Sequence, residues 1–195
     1  MKKILLVAVI FSTVCIAFTG CKKGEDDPFF SIHSRKARVT GNWKIVYSNV
    51  VSVYTDTSGT QTITTLGDGE TYTTTLTTPM GTTVTTGVQT MQYEFFKNGT
   101  YKSNHYMGGM AMIDNGSWDF TSGVGSKKNK SQITIYSQSQ VSMGSTLTYT
   151  GNYVNIAYDL KELRNNKMVW YYKTSSTQTG GYSTAYEIEY VFEPM

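Results

Sequence analysis

The sequence predicts an all-β protein of antiparallel strands, preceded by one short helix. Aromatic residues make up 13% of its 195 residues and charged residues only 16%, and aromatic and β-branched side chains favour strands. Apolar residues recur with a period of two along most of the chain, as in strands with one wet face. Turn-forming pairs such as Asn98-Gly99 separate these runs. A series of short strands of this kind folds as a barrel or a sandwich.

Residues 1–20 are expected to be an export signal outside the fold. Two lysines precede an uncharged apolar run of about 15 residues, shorter than the roughly 20 residues that a membrane-spanning helix needs. Small residues then precede Cys21, and this pattern resembles the lipobox of bacterial lipoproteins. The resemblance implies that the chain is cut before Cys21 and that Cys21 carries the lipid, such as palmitate, that anchors the protein to a membrane.

Removal of the signal lowers the formal net charge from +3 to +1, because two lysines leave with it. The charge therefore predicts no nucleic-acid partner. Cys15 leaves as well, so only the lipidated Cys21 remains and no disulfide or thiolate site is expected. The acidic run Glu25-Asp26-Asp27 resembles the surface-export signal of Bacteroidota lipoproteins, although a plain solvated tether has the same composition. An outer-membrane location is expected, with the cell surface slightly favoured over the periplasmic face.

Residues 21–40 are expected to form a tether and a short helix. Asp27-Pro28 is a typical helix start, with an N-cap followed by proline at the first helical position. The helix is predicted over residues 29–38, and Gly41 is placed to end it. Its basic side chains are expected on the solvated face: Arg35, Lys36 and Arg38.

From Trp43 onward, apolar and polar residues alternate in several runs. The apolar faces of four of these runs are Trp43, Ile45 and Tyr47; Met91, Tyr93 and Phe95; Ile156, Tyr158 and Leu160; and Ile188, Tyr190 and Phe192. Residues on one face of a strand point the same way, so each set is expected to face a common core.

Four motifs follow one another from residue 41 onward. They are Gly41-Asn42-Trp43, the hairpin sequence of residues 93–101, Gly116-Ser117-Trp118, and residues 161–170. Together they resemble the lipocalin-like domain of Bacteroidota outer-membrane lipoproteins, over residues 41–195. The resemblance implies an antiparallel up-and-down barrel of about 8–10 strands, lipocalin- or calycin-like, in which Trp43 points inward and closes one end.

Inside such a barrel, packed side chains fill the space or one small ligand occupies it, and the sequence leaves both open. The side chains expected to contact a ligand are Tyr47, Tyr93, Phe95, Met110, Met112, Trp118, Tyr158 and Tyr190. The two methionines follow the pair Gly108-Gly109, and we expect this segment to be a soft lid at the barrel mouth, since methionine adapts to varied partners.

Residues 55–90 contain 17 threonines in 36 positions and few large apolar side chains. This segment is predicted to be an insertion that extends the sheet beyond the barrel rim, or a weakly packed edge with a poorly specified register. Binding of a glycan or mineral by the threonine hydroxyls and plain solvated strand faces are both compatible with it.

No catalytic arrangement or cofactor motif is visible in the sequence, so a non-enzyme is expected. His33 and His105 stand apart from other metal ligands, and each is expected to be exposed. The first hypothesis is a lipid-anchored barrel that binds a small hydrophobic or aromatic ligand. The alternative is a surface module that contacts an envelope protein or glycan. Deletion of residues 57–86 is expected to spare the first activity and abolish the second.

Overall fold

The computed structural model describes Asp27 and residues 33–121, 130–142, 145–148 and 154–195. Residues 1–26, with Cys21, and residues 28–32 lie outside the described residues. One helix, α1 (Arg35–Val39), precedes eleven strands. The strands are β1 (Gly41–Asp56), β2 (Gly59–Gly67), β3 (Thr71–Thr78), β4 (Gly81–Phe95), β5 (Thr100–Met107), β6 (Met110–Phe120), β7 (Gln132–Ser142), β8 (Ser145–Thr148), β9 (Val154–Leu163), β10 (Met168–Thr177) and β11 (Ser183–Pro194). Within the described ranges, no helix has the length and apolar character that a membrane crossing requires.

Ten of the strands form a closed antiparallel up-and-down barrel, which confirms the predicted fold class. The order is β1-β2-β3-β4-β5-β6-β7-β9-β10-β11, with β11 paired back to β1, while β8 adds to β7. Residues Gly41–Lys44 of β1 pair directly with β4, and Ser48–Asp56 pair with β2. Eight strands therefore enclose the end near α1, here called the closed end. At the other end, the mouth, β2, β3 and residues 81–88 of β4 continue the sheet past Gln89, which pairs with Met107 at the end of β5.

Aromatic side chains fill the closed end. Trp170 is fully buried at their centre, and its ring centroid lies 4.8 Å from Phe192, 4.9 Å from Tyr158 and 5.4 Å from Tyr93. Trp43 is 2% exposed, and its indole Nε1 donates to the carbonyl of Val39 at the end of α1, at 2.8 Å. An eight-stranded barrel is just wide enough for side chains to fill, so this end is a solid aromatic floor.

A bulge in β1 changes which side chains face inward. The pairing of β1 with β11 shifts by one residue between Ile45 and Tyr47. Before the bulge Ile45 is buried; after it Ser48 is buried and Tyr47 is 39% exposed. The expectation that Tyr47 faces the lumen is therefore wrong, because an extra residue in one strand moves every later side chain to the opposite face.

Asp27 clasps the segment before the barrel onto the barrel wall. Its carboxylate pairs with Arg35 and accepts the backbone N–H of Leu163 at 2.8 Å, and Arg38 donates to the Leu163 carbonyl. The helix is capped by Ser34, whose Oγ accepts the Ala37 N–H at 3.1 Å. Helix α1 therefore begins at Arg35 and not at residue 29, because the backbone of Ser34 is extended.

Arg35 and Arg38 are 7% and 6% exposed, so their expected place on a solvated helix face is also wrong. Arg38 contacts the end of β9 directly through the Leu163 carbonyl, and Arg35 contacts it through Asp27. This clasp fixes α1 across the closed end, against the aromatic floor.

The threonine-rich strands form part of the barrel wall. β2 and β3 pair without interruption from Thr62 and Thr77 to Gly67 and Tyr72, and β3 pairs in turn with β4. Gly67 allows the close approach, since a Cβ there would lie 1.7 Å from the Gln89 amide nitrogen. The segment extends the sheet past the end of β5 with a regular register, and residues 81–86 of β4 are exposed on both faces and pair with β3 alone.

Replacing Asp27 tests the clasp. Asp27→Ala leaves Arg35 buried without its partner, and removing one member of a buried ion pair costs about 3–5 kcal/mol. We expect a loss of about 3 kcal/mol in the free energy of unfolding, measured by urea denaturation. Asp119→Ala, at an exposed position, is the matched control and should change it little. Equal stability of the two variants would contradict the clasp.

Candidate functional site

The inward strand faces are buried at the closed end and exposed at the mouth. Along β5, Tyr101 and Ser103 are each 1% exposed and Met107 is 39% exposed. Along β11, Phe192 is fully buried and Tyr186 is 37% exposed. A cleft of about 260 Å³ lies at the mouth between the ends of β1, β10 and β11. The lumen is therefore filled by side chains at the closed end and open to solvent at the mouth.

Four side chains on the inward faces of β5, β6 and β10 each carry a buried polar atom without a hydrogen-bond partner. The atoms are Ser103 Oγ, His105 Nε2, Asp114 Oδ1 and Trp170 Nε1, and these residues are here called the polar cluster. Ser103 pairs with Asp114 across β5 and β6. The Tyr93 ring lies 5.3 Å from the His105 ring and 5.4 Å from that of Trp170. Each unpaired buried group costs about 1–3 kcal/mol, so such atoms in one lumen mark a site for a partner.

Asp114 is held by hydroxyl donors on one side only. Tyr101 and Ser137 both donate to Oδ2, the latter at 2.6 Å, while Oδ1 has no donor. Burial, and then the hydrogen bond to Asp114, raises the pKa of Tyr101 far above its ordinary value, so the phenol stays protonated and donates. No lysine or arginine of the described residues pairs with Asp114.

His105 lies inside the barrel, so its expected exposure is wrong. Its ring packs edge-on against Tyr93, and Nε2 is buried. Burial lowers the pKa of His105 from 6.5 to about 4, a shift that the nearby charge of Asp114 opposes. The imidazole is therefore neutral at neutral pH. Tyr101 and His105 are four residues apart in β5 and therefore lie on the same face of the strand. The inward position of His105 could thus have been inferred from that of Tyr101.

Three predicted tyrosines line the lumen beside the polar cluster. Burial raises the pKa values of Tyr93, Tyr158 and Tyr190, so all three remain neutral phenols. The Tyr158 ring stacks on Trp170 and lies 6.4 Å from Tyr190. Together these tyrosines give the part of the lumen beside the polar cluster, here called the chamber, aromatic walls that also carry hydroxyl groups. Such a surface suits an aromatic or amphipathic molecule.

The other predicted contact residues lie elsewhere in the barrel. Phe95 and Trp118 are 1% and 3% exposed and belong to the floor. Met110 and Met112 lie near the mouth, beyond the two-residue turn Gly108-Gly109. Both glycines have positive φ, as a tight hairpin requires, so this segment is a short turn and not a flexible loop.

Sequence reasoning missed four residues that shape the site: Tyr101, Ser103, Asp114 and Trp170. Asp114 has the same parity as Trp118 in β6, so alternation along that strand could have found it. Tyr101 and Ser103 lie in β5 and Trp170 lies in β10, two strands whose inward faces the sequence analysis did not assign.

Comparison with known proteins adds no assignment. A scan against protein-family models gives no match to this chain, and a search of the curated proteins gives none either. Within the described ranges, no group of three metal-ligating side chains converges. The geometry of the lumen therefore carries the functional argument.

The buried imidazole predicts a pH-dependent stability. The unfolded chain binds a proton at His105 near pH 6.5 and the folded chain only near pH 4, so the unfolded state binds more protons between these values. The contribution of His105 to the free energy of unfolding should fall as pH is lowered through this window. Urea denaturation at several pH values would show it, with His105→Gln lacking this part of the slope. Identical slopes would contradict the burial of a neutral imidazole.

Proposed function

We propose that this protein is a lipid-anchored lipoprotein of the cell envelope whose barrel binds one small ligand with an aromatic or other apolar body. The observation that carries the proposal is the polar cluster, whose buried polar atoms have no hydrogen-bond partner although their side chains lie on the inward faces of the strands. Small-molecule sites are concave, mostly apolar and furnished with a few convergent polar groups. The lipocalin-like resemblance agrees with this reading, but the argument rests on the lumen itself.

The threonine-rich hairpin at the mouth supports the same function. Its inward positions carry both hydroxyl and apolar side chains: Thr65 and Thr74 join their hydroxyls at 2.9 Å, and Ile63 pairs with Leu76 on the same face. The hairpin therefore adds amphipathic surface at the entrance of the lumen.

We propose a binding function and not catalysis. Ser103, His105 and Asp114 are the residue types of a nucleophilic triad, but such a triad needs hydrogen bonds that join the serine to the histidine and the histidine to the carboxylate. In the part of the chain that the structure describes, the corresponding polar atoms have no partner.

An exposed apolar outer face favours the alternative of a surface module. Leu66, Val84 and Val88 of the threonine-rich strands are 46%, 59% and 57% exposed. The outward Tyr171 supports this alternative less, because it donates to Glu187 at 3.0 Å and lies under the Lys161 ammonium. Deleting residues 57–86 would remove this outer face together with the inward side chains of the same strands at the mouth, so it does not separate the two functions.

Native mass spectrometry tests for a bound ligand. The full chain, purified from membranes without organic solvent, should carry an extra mass that disappears on denaturation. His105→Ala should lose this mass, since the imidazole faces the chamber. Asn104→Ala, on the outer face of the same strand, is the control and should retain it. Bare protein in the wild type would contradict ligand retention and shift the case to the surface module.

Lipidation is tested at Cys21. Cys21→Ser removes the thiol that accepts the lipid, so the protein should lose radiolabelled palmitate and leave the membrane fraction. Cys15→Ser lies within the expected signal and should change neither readout. Incorporation of palmitate into the Cys21→Ser variant would contradict the assignment.

A further inference from the structure

We propose that the ligand is a cation, a protonated organic amine on an aromatic or apolar body, with its ammonium group held by Asp114. This inference rests on the proposed ligand-binding function and names the chemical class that the chamber selects. It arises from three features of the polar cluster: its unbalanced charge, its number of free acceptors and the aromatic rings beside it.

The unbalanced charge is the first step. A buried carboxylate is costly unless a cation or several hydrogen bonds compensate it. Two hydroxyl groups donate to Oδ2 of Asp114, but Oδ1 stays buried with no donor. The inward positions of β5 and β6 carry no lysine or arginine. A ligand that brings a positive charge would complete this group.

The number of acceptors is the second step. An ammonium group has three N–H donors and no acceptor. The chamber offers three buried acceptors without a partner: Asp114 Oδ1, Ser103 Oγ and, in the neutral imidazole, His105 Nε2. An anionic ligand would meet the carboxylate with repulsion. Trp170 Nε1 is a donor only, so it suits an oxygen on the body of the ligand.

The aromatic walls are the third step. Cations are attracted to the faces of tryptophan and tyrosine rings. The Trp170 ring, with Tyr93 and Tyr158 against it, lies beside the polar cluster. The same rings would pack against an aromatic or apolar body, so one chamber accommodates both ends of the molecule.

Three probes with one phenol body test the charge preference. They are tyramine, which is cationic at neutral pH, the neutral alcohol 2-(4-hydroxyphenyl)ethanol and the anion 3-(4-hydroxyphenyl)propionate. Binding to the full chain in lipid nanodiscs is measured by isothermal titration calorimetry, with empty nanodiscs subtracted. We expect tyramine to bind at least tenfold more tightly than either of the other probes.

Asp114→Asn keeps the shape of the side chain and removes its charge. It should weaken tyramine binding at least tenfold and leave the alcohol unchanged. Asp119→Asn makes the same change at an exposed position of the same strand, and should bind all probes like the wild type. Tyr101→Phe removes a donor from Asp114 but keeps the charge, so the preference for tyramine should persist. Near-ultraviolet circular dichroism checks that each variant is folded.

The outcomes separate this inference from the proposed function. Equal binding of the three probes, unaffected by Asp114→Asn, would overturn the cation proposal and leave ligand binding in place. Loss of the preference in a folded Tyr101→Phe variant would also overturn it, because the carboxylate is retained there. Absence of tyramine binding in the wild type would also overturn the cation proposal, whereas the proposed binding function is decided separately by the extra mass in the native mass spectrum.

Discussion

The change of partner along β1 is the constraint on which the rest of the molecule depends. Its first residues bond to β4, which closes eight strands around the aromatic floor. Its later residues bond to β2, the start of the threonine-rich hairpin that continues the sheet past the end of β5. A barrel of eight strands is just wide enough for side chains to fill. The solid floor and the extended mouth are therefore two consequences of one change of partner.

The aromatic floor and the polar cluster have opposite effects on stability. Burial of the large rings around Trp170 stabilises the fold, since each aromatic side chain removes about 150–250 Å² from water. The polar cluster works against stability by about 1–3 kcal/mol for each unpaired group. A protein tolerates such groups where the floor supplies the stability and a partner compensates the cost.

Alternation in the sequence predicted the barrel and placed Tyr93, Tyr158 and Tyr190 in the lumen, because a period of two is a local property. It failed at Tyr47, since nothing in the residues around the bulge marks the extra position. It also gave no sign of the partner of Asp27, because Leu163 is 136 residues away in the chain. His105 was within reach: extending the parity of Tyr101 by four residues places it inside. Contacts between distant strands decided the rest.

The clasp at Asp27 gives the barrel a direction. Asp27 follows Cys21 by six residues, which span at most about 20 Å when fully extended. If Cys21 carries the lipid as proposed, the closed end of the barrel would therefore face the bilayer and the mouth would face away from it. Its rim is one length of β1 away, about 50 Å along a strand of 16 residues. Cargo would then enter from the aqueous side and not from the lipid beneath.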